Sequence, residues 1–517
     1  MSTNIIIILV AFVAYMILMI MIGILNSKSQ NNEDYFLAGR GLGSWTAALS
    51  AQASDMSGWL LMGLPGAIYF AGTGEVWIAV GLLIGTVLNW YLVARRLRKY
   101  TIVANNSLTI PSFFENRFHD RKGALKIVSS IIIIIFFAVY TASAFSSGAK
   151  LFANVFGQGG SADQMYIIGL IIAAVVILVY TFLGGFKAVC YTDFIQGMLM
   201  LVAILAVPII MYIGVTKDFG SLSSALSAKG VADPAGYLSF LKDSEGNPIS
   251  AVSVISNLGW ALGYFGMPHI LVRFMAIKSD REVKKSRVIA IIWVILSLGA
   301  ACFVGLIARG YLTEVLDATT KETVFIKSIL QIFDGNFVMV FIGGIFLCGI
   351  MAAVMSTADS QLLVTASAVS EDMYKGVIKK NASEKSSLWV GKIAVVAVAI
   401  IAFVIALNPN SSIMGLVSDA WAGFGAAFGP IILLSLFWKR FNLAGAVSGM
   451  AIGALTVILW DYIPLAAGQT LGAVTGLYSL VVGFPLALIV AVFITLITKA
   501  PSKEIQDEFD KVKTVEI

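Results

Sequence analysis

Apolar runs of about 20 residues, the length that carries an α-helix through the hydrocarbon core of a bilayer, recur from one end of this chain to the other. Inside hydrocarbon every backbone N–H and C=O must be paired within the protein, which leaves helices as the way to cross in such runs. Of the 517 residues, 59% are hydrophobic and only 12% are charged. The chain is expected to be an all-α integral membrane protein with about 13 transmembrane helices. They are expected to start near Ile5, Trp45, Glu75, Ile127, Gln164, Asp193, Val252, Val288, Phe337, Ser387, Ser412, Asn442 and Val474.

The first run, Ile5 to Ile24, has no basic segment before it and no small-residue cleavage site after it. It therefore reads as a retained helix, not a removed signal peptide, and the N-terminus is expected outside. Basic residues test that orientation, because cytoplasmic loops collect Lys and Arg. With odd-numbered helices running inward, Lys150, Lys217, Lys229, Lys242, Arg309, Lys321 and Lys327 fall outside, and the other 28 of the 35 basic residues fall inside. A multi-pass protein of the cell membrane with a cytoplasmic C-terminus follows. The net charge of +6 comes from these loops and needs no nucleic-acid partner. Clusters such as Arg95, Arg96, Arg98 and Lys99, and Arg273 to Arg287, are expected to anchor the topology beside membrane lipid. No obligate protein partner is implied.

Several function classes are excluded. Cys190, Cys302 and Cys348 lie in or beside different spans without CxxC spacing, and the chain has two histidines, so neither a disulfide framework nor a zinc site is supported. No GxxxxGK[ST] phosphate loop is present, and the longest polar segments, Gly214 to Ser250 and Thr101 to Lys126, are too short for a nucleotide-binding domain. No nucleophile, base and orienting group can be assembled into an enzyme's active site. The membrane part must carry the function.

Residues Ser54-Asp-Met-Ser-Gly58 interrupt the second run with a carboxylate, two hydroxyls and a glycine. An ionised side chain at that depth is costly and faces a cavity or a pathway, and a helix that unwinds there exposes carbonyl oxygens. A cation site is the first expectation. The seventh run, Leu258-Gly-Trp-Ala-Leu-Gly-Tyr-Phe-Gly-Met-Pro268, carries glycines and a proline that loosen a helix in the same way, although such glycines also serve ordinary packing. Broken helices in matching positions suggest two inverted five-helix units, spans two to six and seven to eleven. The ninth run offers Ala353-Val-Met-Ser-Thr-Ala-Asp-Ser360. Ser356 and Thr357 follow Ala353 by three and four residues, so its carbonyl and both hydroxyls share one helix face. Those hydroxyls either bond back one turn or, with the first break, offer hard oxygen ligands to sodium.

These residues carry a resemblance. Ala51-Gln-Ala-Ser-Asp-Met-Ser-Gly-Trp-Leu-Leu-Met-Gly-Leu-Pro-Gly-Ala67, Leu258 to Met275 and Ala352 to Thr357 closely resemble the proline-transporting members of the sodium:solute symporter family. The similarity runs from Asp34-Tyr-Phe-Leu-Ala-Gly-Arg40 through Ala420-Trp-Ala-Gly-Phe-Gly-Ala-Ala-Phe-Gly-Pro430 to Lys499-Ala-Pro501. It implies a leucine-transporter-like core that catalyses uptake of L-proline with co-transported sodium. The expected organisation is an extra N-terminal helix and first inner loop (1–44), a first five-helix repeat (45–215), an outer loop (216–251), a second, inverted repeat (252–438), two C-terminal helices (439–499) and a cytoplasmic tail (500–517). By the same resemblance, sodium is held by the carbonyls of Ala53, Met56 and Ala353 and the hydroxyls of Ser356 and Thr357, with Asp55 acting as a ligand or through its field and the helix shape. Ser57 and Gly58 belong to sodium and proline handling. Trp59, Tyr140, Trp260, Tyr264 and Pro268 are expected at the substrate. A zwitterion with a compact apolar ring needs amide donors, acceptors and rigid aromatic walls, although isolated Trp and Tyr also serve as interfacial anchors.

Four further residues are candidates for coupling or for a second ion. Arg40 matches a coupling position or is a plain cytoplasmic charge. Asp193, at the expected cytoplasmic start of the sixth span, matches a sodium-exit position or caps that helix. Asp359 and Ser360, one turn beyond the sodium hydroxyls, match positions that some relatives use with the Asp193 position for a second sodium. Three residues depart from the proline-transporting pattern: Asp359, which leaves open whether one sodium or two is moved; Asp419 near the outer end of the eleventh span, a gate residue or merely an interfacial one; and Gln52 in the second, where a small residue is usual, which narrows substrate choice. Two alternatives stay open: symport of another small carboxylated solute (pantothenate, a monocarboxylate or a different amino acid), and a membrane sensor that does not transport.

Overall fold

A helix satisfies its own backbone, so the spans form wherever an apolar run is long enough, and tertiary contacts decide where they break. The computed structural model describes residues 3–26, 32–157, 161–183, 185–466 and 468–517. Among them, 11 helices are long and apolar enough to cross a membrane: Thr3–Asn26, Thr73–Val103, Ala124–Phe156, Asp163–Phe182, Phe186–Phe219, Asp280–Tyr311, Phe337–Ile378, Glu384–Ile405, Ile413–Phe437, Leu443–Tyr462 and Ser479–Ile497. The expected second and seventh spans are not continuous helices. The second is a helix Ser44–Asp55 followed by Trp59–Ala71; the seventh is Ala251–Gly259 and Pro268–Met275 joined by a tight turn of 3-10 helix, Trp260–Gly266. Ordinals below follow this order, counting each broken helix as one span.

Three expected starts move. The sixth span begins at Phe186, after Gly185 in extended conformation, so Asp193 lies two turns inside the helix. It therefore does not cap it. The polar stretch around Thr192, Asp193 and Gln196 is fully buried against other helices, which is why helix continues through residues that sequence alone places at a boundary. The eighth span begins at Asp280, with the Ser279 side chain accepting from the Glu282 amide as its N-cap, so charged turns extend it beyond its apolar part. The last span begins at Ser479, not near Val474, because Gly476 in left-handed conformation (φ 66°) ends a short helix, Leu471–Thr475.

The breaks have local causes and tertiary supports. At the second-span break, Met56 leaves helical geometry (φ −85°, ψ 79°). Gly58 then packs so closely on the fourth span that a Cβ there would stand 2.1 Å from Ser147 Oγ. In the seventh span, Met267 is extended (ψ 106°) ahead of Pro268, as a residue before proline prefers. The glycines of this turn also pack: a Cβ on Gly263 would stand 1.9 Å from Trp421 Nε1, and one on Gly266 2.2 Å from the Phe424 carbonyl oxygen. Loosening the helix and admitting the eleventh span are thus one device.

The two ends of the bundle are closed differently. At one end, Lys150 Nζ donates to Glu322 at 2.6 Å. The same carboxylate accepts from Ser412 Oγ (2.9 Å) and from the amides of Ile413 (3.0 Å) and Met414 (3.1 Å) at the start of the eleventh span, where a helix N-terminus favours negative charge. Burial works against the charged form of Glu322, but Lys150 and those amides hold its carboxyl below the usual range. At the opposite end the charged tail forms the helix Lys503–Lys511. It is more than a polar extension, since Ile505 and Phe509 are buried and Lys99 Nζ donates to the Val515 carbonyl at 2.5 Å.

Candidate functional site

The two breaks meet. Tyr264, in the turn of the seventh span, donates its hydroxyl to Asp55 Oδ2 at 2.7 Å. The carbonyl that Asp55 loses from its helix when the second span breaks accepts from Tyr140 Oη (3.1 Å) and Trp59 Nε1 (3.0 Å). Asp55, Tyr140, Trp59 and Tyr264 are all buried. The four residues expected separately thus form one assembly, in which aromatic side chains hold an unwound segment open. Ser57 continues it: its amide donates to the Asp55 carbonyl at 3.0 Å, and its hydroxyl accepts from the Trp59 amide at 3.4 Å, starting the second half-helix.

One turn earlier, the break faces the ninth span. Ser356 Oγ donates to the Ala53 carbonyl at 2.7 Å and lies 3.3 Å from that of Ala353, while Thr357 Oγ1 is 3.5 Å from the Ala53 carbonyl. The Ser356 hydroxyl therefore reaches across to another helix as well as back along its own. Four of the five oxygens expected for sodium converge here. Met56 is fully buried beside them in sequence, and Ser297 Oγ lies 3.5 Å from its sulfur. Converging carbonyl and hydroxyl oxygens of this kind suit a hard monovalent cation.

Trp260 and Tyr264 share a wall with a residue that sequence analysis did not single out for the site. Trp421 Nε1 donates to the Trp260 carbonyl at 2.8 Å, and its ring packs edge-on to Tyr264 with centroids 4.9 Å apart. Asn89 Nδ2 donates to the Tyr264 carbonyl at 2.9 Å. Pro268 opens the second half of the seventh span and is buried. Gln52 is buried, and its Nε2 has no hydrogen-bond partner among the described residues. Asp419 accepts from Tyr462 Oη at 2.5 Å.

A second charged cluster lies one turn further along the ninth span, and it corrects the reading of Arg273 as a topology anchor. Arg273 is 1% exposed. Its guanidinium donates to Asp193 Oδ2 (3.0 Å), Ser360 Oγ (2.5 Å), Ser50 Oγ (3.0 Å) and the His269 carbonyl (2.8 Å). Ser50 Oγ also donates to Asp193 Oδ2 at 2.7 Å. Asp359 lies beside Ser360, whose hydroxyl is 3.4 Å from its Oδ1, and Asp359 Oδ2 has no hydrogen-bond partner among the described residues. The structure thus joins Asp193 and Ser360 around an internal cation, with Asp359 next to Ser360. The signal was present in the sequence: an arginine inside the apolar helix Pro268–Met275 is expected to be paired, since a buried charge left alone is costly.

Arg40 is not a plain surface charge. It is 6% exposed and lies in a left-handed turn (Ala38 φ 51°, Gly39 φ 58°, Arg40 φ 50°). It donates to Thr101 Oγ1 (3.0 Å), the Met275 carbonyl (2.9 Å) and the Ser107 carbonyl (2.8 Å). It therefore ties the approach to the second span to the end of the seventh. Arg98 and Lys99 are likewise buried. Cys190, Cys302 and Cys348 are free and buried.

Two broken helices joined at their breaks, with oxygens on one side and aromatics on the other, define the class of a leucine-transporter-like, ion-coupled secondary transporter. A model of the sodium:solute symporter family matches residues 35–453, and the chain belongs to that family. The sodium/proline symporter of Escherichia coli (strain K12) is 43% identical over 507 residues, covering 97% of this chain and 95% of that protein. The osmoregulated proline transporter OpuE of Bacillus subtilis (strain 168) is 43% identical over 498 residues, with 96% of each chain covered. The sodium/proline symporter of Staphylococcus aureus is 41% identical over 509 residues, covering 97% of this chain and 95% of that protein. Among solved structures, a Na+-coupled sialic acid symporter in a substrate-bound outward-open state has the same fold, with TM-score 0.74, 20% identity and 96% and 98% of the two chains covered. Mhp1, a nucleobase-cation-symport-1 family transporter in a closed conformation, is more distant, with TM-score 0.53, 12% identity and 93% and 99% covered.

Proposed function

We propose that this chain is a sodium-coupled symporter of the plasma membrane that imports L-proline by alternating access, with its N-terminus outside and its C-terminus in the cytoplasm. The observation that carries this reading is the junction of the two breaks, Tyr264 on Asp55 at 2.7 Å, with the Ala53 carbonyl engaged by Ser356 from the ninth span. Near full-length identity to proline symporters supports the substrate, and the position of Lys and Arg in the loops supports the orientation.

In this mechanism sodium takes the carbonyls of Ala53, Met56 and Ala353 and the hydroxyls of Ser356 and Thr357 as ligands, and so fastens the second span to the ninth. That fixes the geometry of Asp55, Ser57 and Gly58, whose backbone, with Tyr140, Trp59, Trp260 and Tyr264, receives the zwitterion and its ring. Each ligand then favours binding of the other, reciprocally. Arg40 and Pro268 act by setting the shape of the seventh span's inner half. Arg273 supplies the positive charge at Asp193 and Ser360, so the second-ion position is taken by the protein's own guanidinium and one sodium moves per proline. Membrane lipid surrounds the bundle, and the chemistry is transport without covalent change.

Uptake of radiolabelled L-proline into proteoliposomes tests the reading, comparing an inward sodium gradient with an equal potassium gradient. Accumulation that depends on sodium is expected. Folded, inserted protein that takes up no proline under either gradient would sink the substrate assignment.

A further inference from the structure

The last span contributes to the aromatic wall through Tyr478, the residue just before Ser479–Ile497. Its ring stacks on Trp260, with centroids 5.4 Å apart and planes inclined by 23°. Trp260 also meets Trp421, with centroids 6.2 Å apart. Three further bonds hold the tyrosine in place. Its hydroxyl donates to the Ser418 carbonyl of the eleventh span at 2.8 Å, its amide donates to Ser256 Oγ of the seventh at 3.1 Å, and the neighbouring Leu477 carbonyl accepts from Trp460 Nε1 of the twelfth at 3.0 Å. The helix behind it is pressed onto the same turn: a Cβ on Gly259 would stand 2.3 Å from Val481. The family-wide match covers residues 35–453, so Trp260 lies inside that segment and Tyr478 beyond it.

We propose that Tyr478 is a positioning and specificity-determining residue of the substrate site. Resting on the proline reading above, it holds the Trp260 indole in one orientation and thereby sets how large a ring the site accepts. An indole packed against both Tyr478 and Trp421 is held in place; without the phenol ring it has room to turn away, and the site then admits a larger ring. Stacking supplies this restraint, so Tyr478→Phe keeps most of it while losing only the bond to Ser418.

The test is transport by full-length protein in proteoliposomes, for wild type, Tyr478→Phe, Tyr478→Leu and Tyr478→Ala, with proline and its six-membered-ring homologue pipecolate as competitor. Tyr478→Ala is expected to raise the KM for proline about tenfold with Vmax within about twofold, and to narrow the preference for proline over pipecolate by a similar factor. Tyr478→Phe is expected to stay within about threefold of wild type, and Tyr478→Leu, which fills volume without stacking, to follow alanine in selectivity. A purely structural role would lower Vmax or the amount of inserted protein and leave the ratio between the two rings unchanged. That result, in a series whose wild type transports proline, overturns this inference alone. A wild type that takes up no proline overturns the substrate reading and this inference with it.

Discussion

Ser356 and Thr357 show how much a single oxygen can decide. Both hydroxyls lie within 3.5 Å of the Ala53 carbonyl, so on the proposed reading an ion bound there would take two ligands from the side chains that tie the ninth span to the second. Ser356→Ala and Thr357→Ala are each expected to raise the sodium concentration for half-maximal uptake about tenfold, the equivalent of about 1.4 kcal/mol, while proline KM at saturating sodium moves less. Sodium titrations of uptake check this, and an unchanged half-saturation in the double variant rules out the ion site. Tyr264→Phe removes the hydroxyl donor to Asp55 Oδ2 and leaves that buried carboxylate oxygen unpaired, a loss of about 1 to 3 kcal/mol. Proline KM measured on this variant should rise tenfold or more. Retention of wild-type KM and thermal stability would show that the two breaks are not coupled through this bond.

The broken helix is the unit that turns such oxygens into a site. Ser54 to Gly58 were legible in sequence because a carboxylate and a glycine within an apolar run conflict with an uninterrupted helix. What the sequence does not contain is the partner that makes the break permanent, the Ser147 side chain of the fourth span. A methyl group on Gly58 would sit 2.1 Å from Ser147 Oγ and 2.7 Å from its Cβ, and neither atom belongs to a long flexible side chain that can move aside. Gly58→Ala should therefore abolish uptake in inserted protein, and Ser147→Gly, which removes both atoms, should restore part of it. Failure of the second change to rescue the first would mean that Gly58 is needed for its backbone freedom and not for the close approach.

At the scale of the whole molecule, symport is a statement about charge crossing the membrane. Proline is a zwitterion, so on the proposed reading, in which Arg273 at Asp193 and Ser360 stands where a second sodium would, each cycle is expected to move one net positive charge. A potential of 100 mV contributes about 2.3 kcal/mol to that charge, or about fifty-fold accumulation before any sodium gradient is counted. Vesicles held at an inside-negative potassium diffusion potential, with equal sodium on both sides, should concentrate proline by about that factor, and sodium activation should be hyperbolic. Insensitivity to the potential would show an electroneutral cycle, and sigmoidal sodium activation would show a second ion that Arg273 does not replace.

Membrane residence, the positions of both breaks and the oxygen-bearing face of the ninth span followed from the sequence, because each is a local conflict or a local periodicity: apolar length, a charge within it, residues three and four apart. Asp193 inside its helix, Arg273 as an internal cation, and Tyr478 behind Trp260 were decided by tertiary structure. Arg273 within an apolar stretch asks for a partner, but which carboxylate supplies it shows only when another span lies beside it, and Tyr478, inside the last span as its start near Val474 would have it, reads as one more aromatic of that helix until its ring lies on an indole from the seventh. Their roles depend on partners distant in the chain, which no window of sequence brings together.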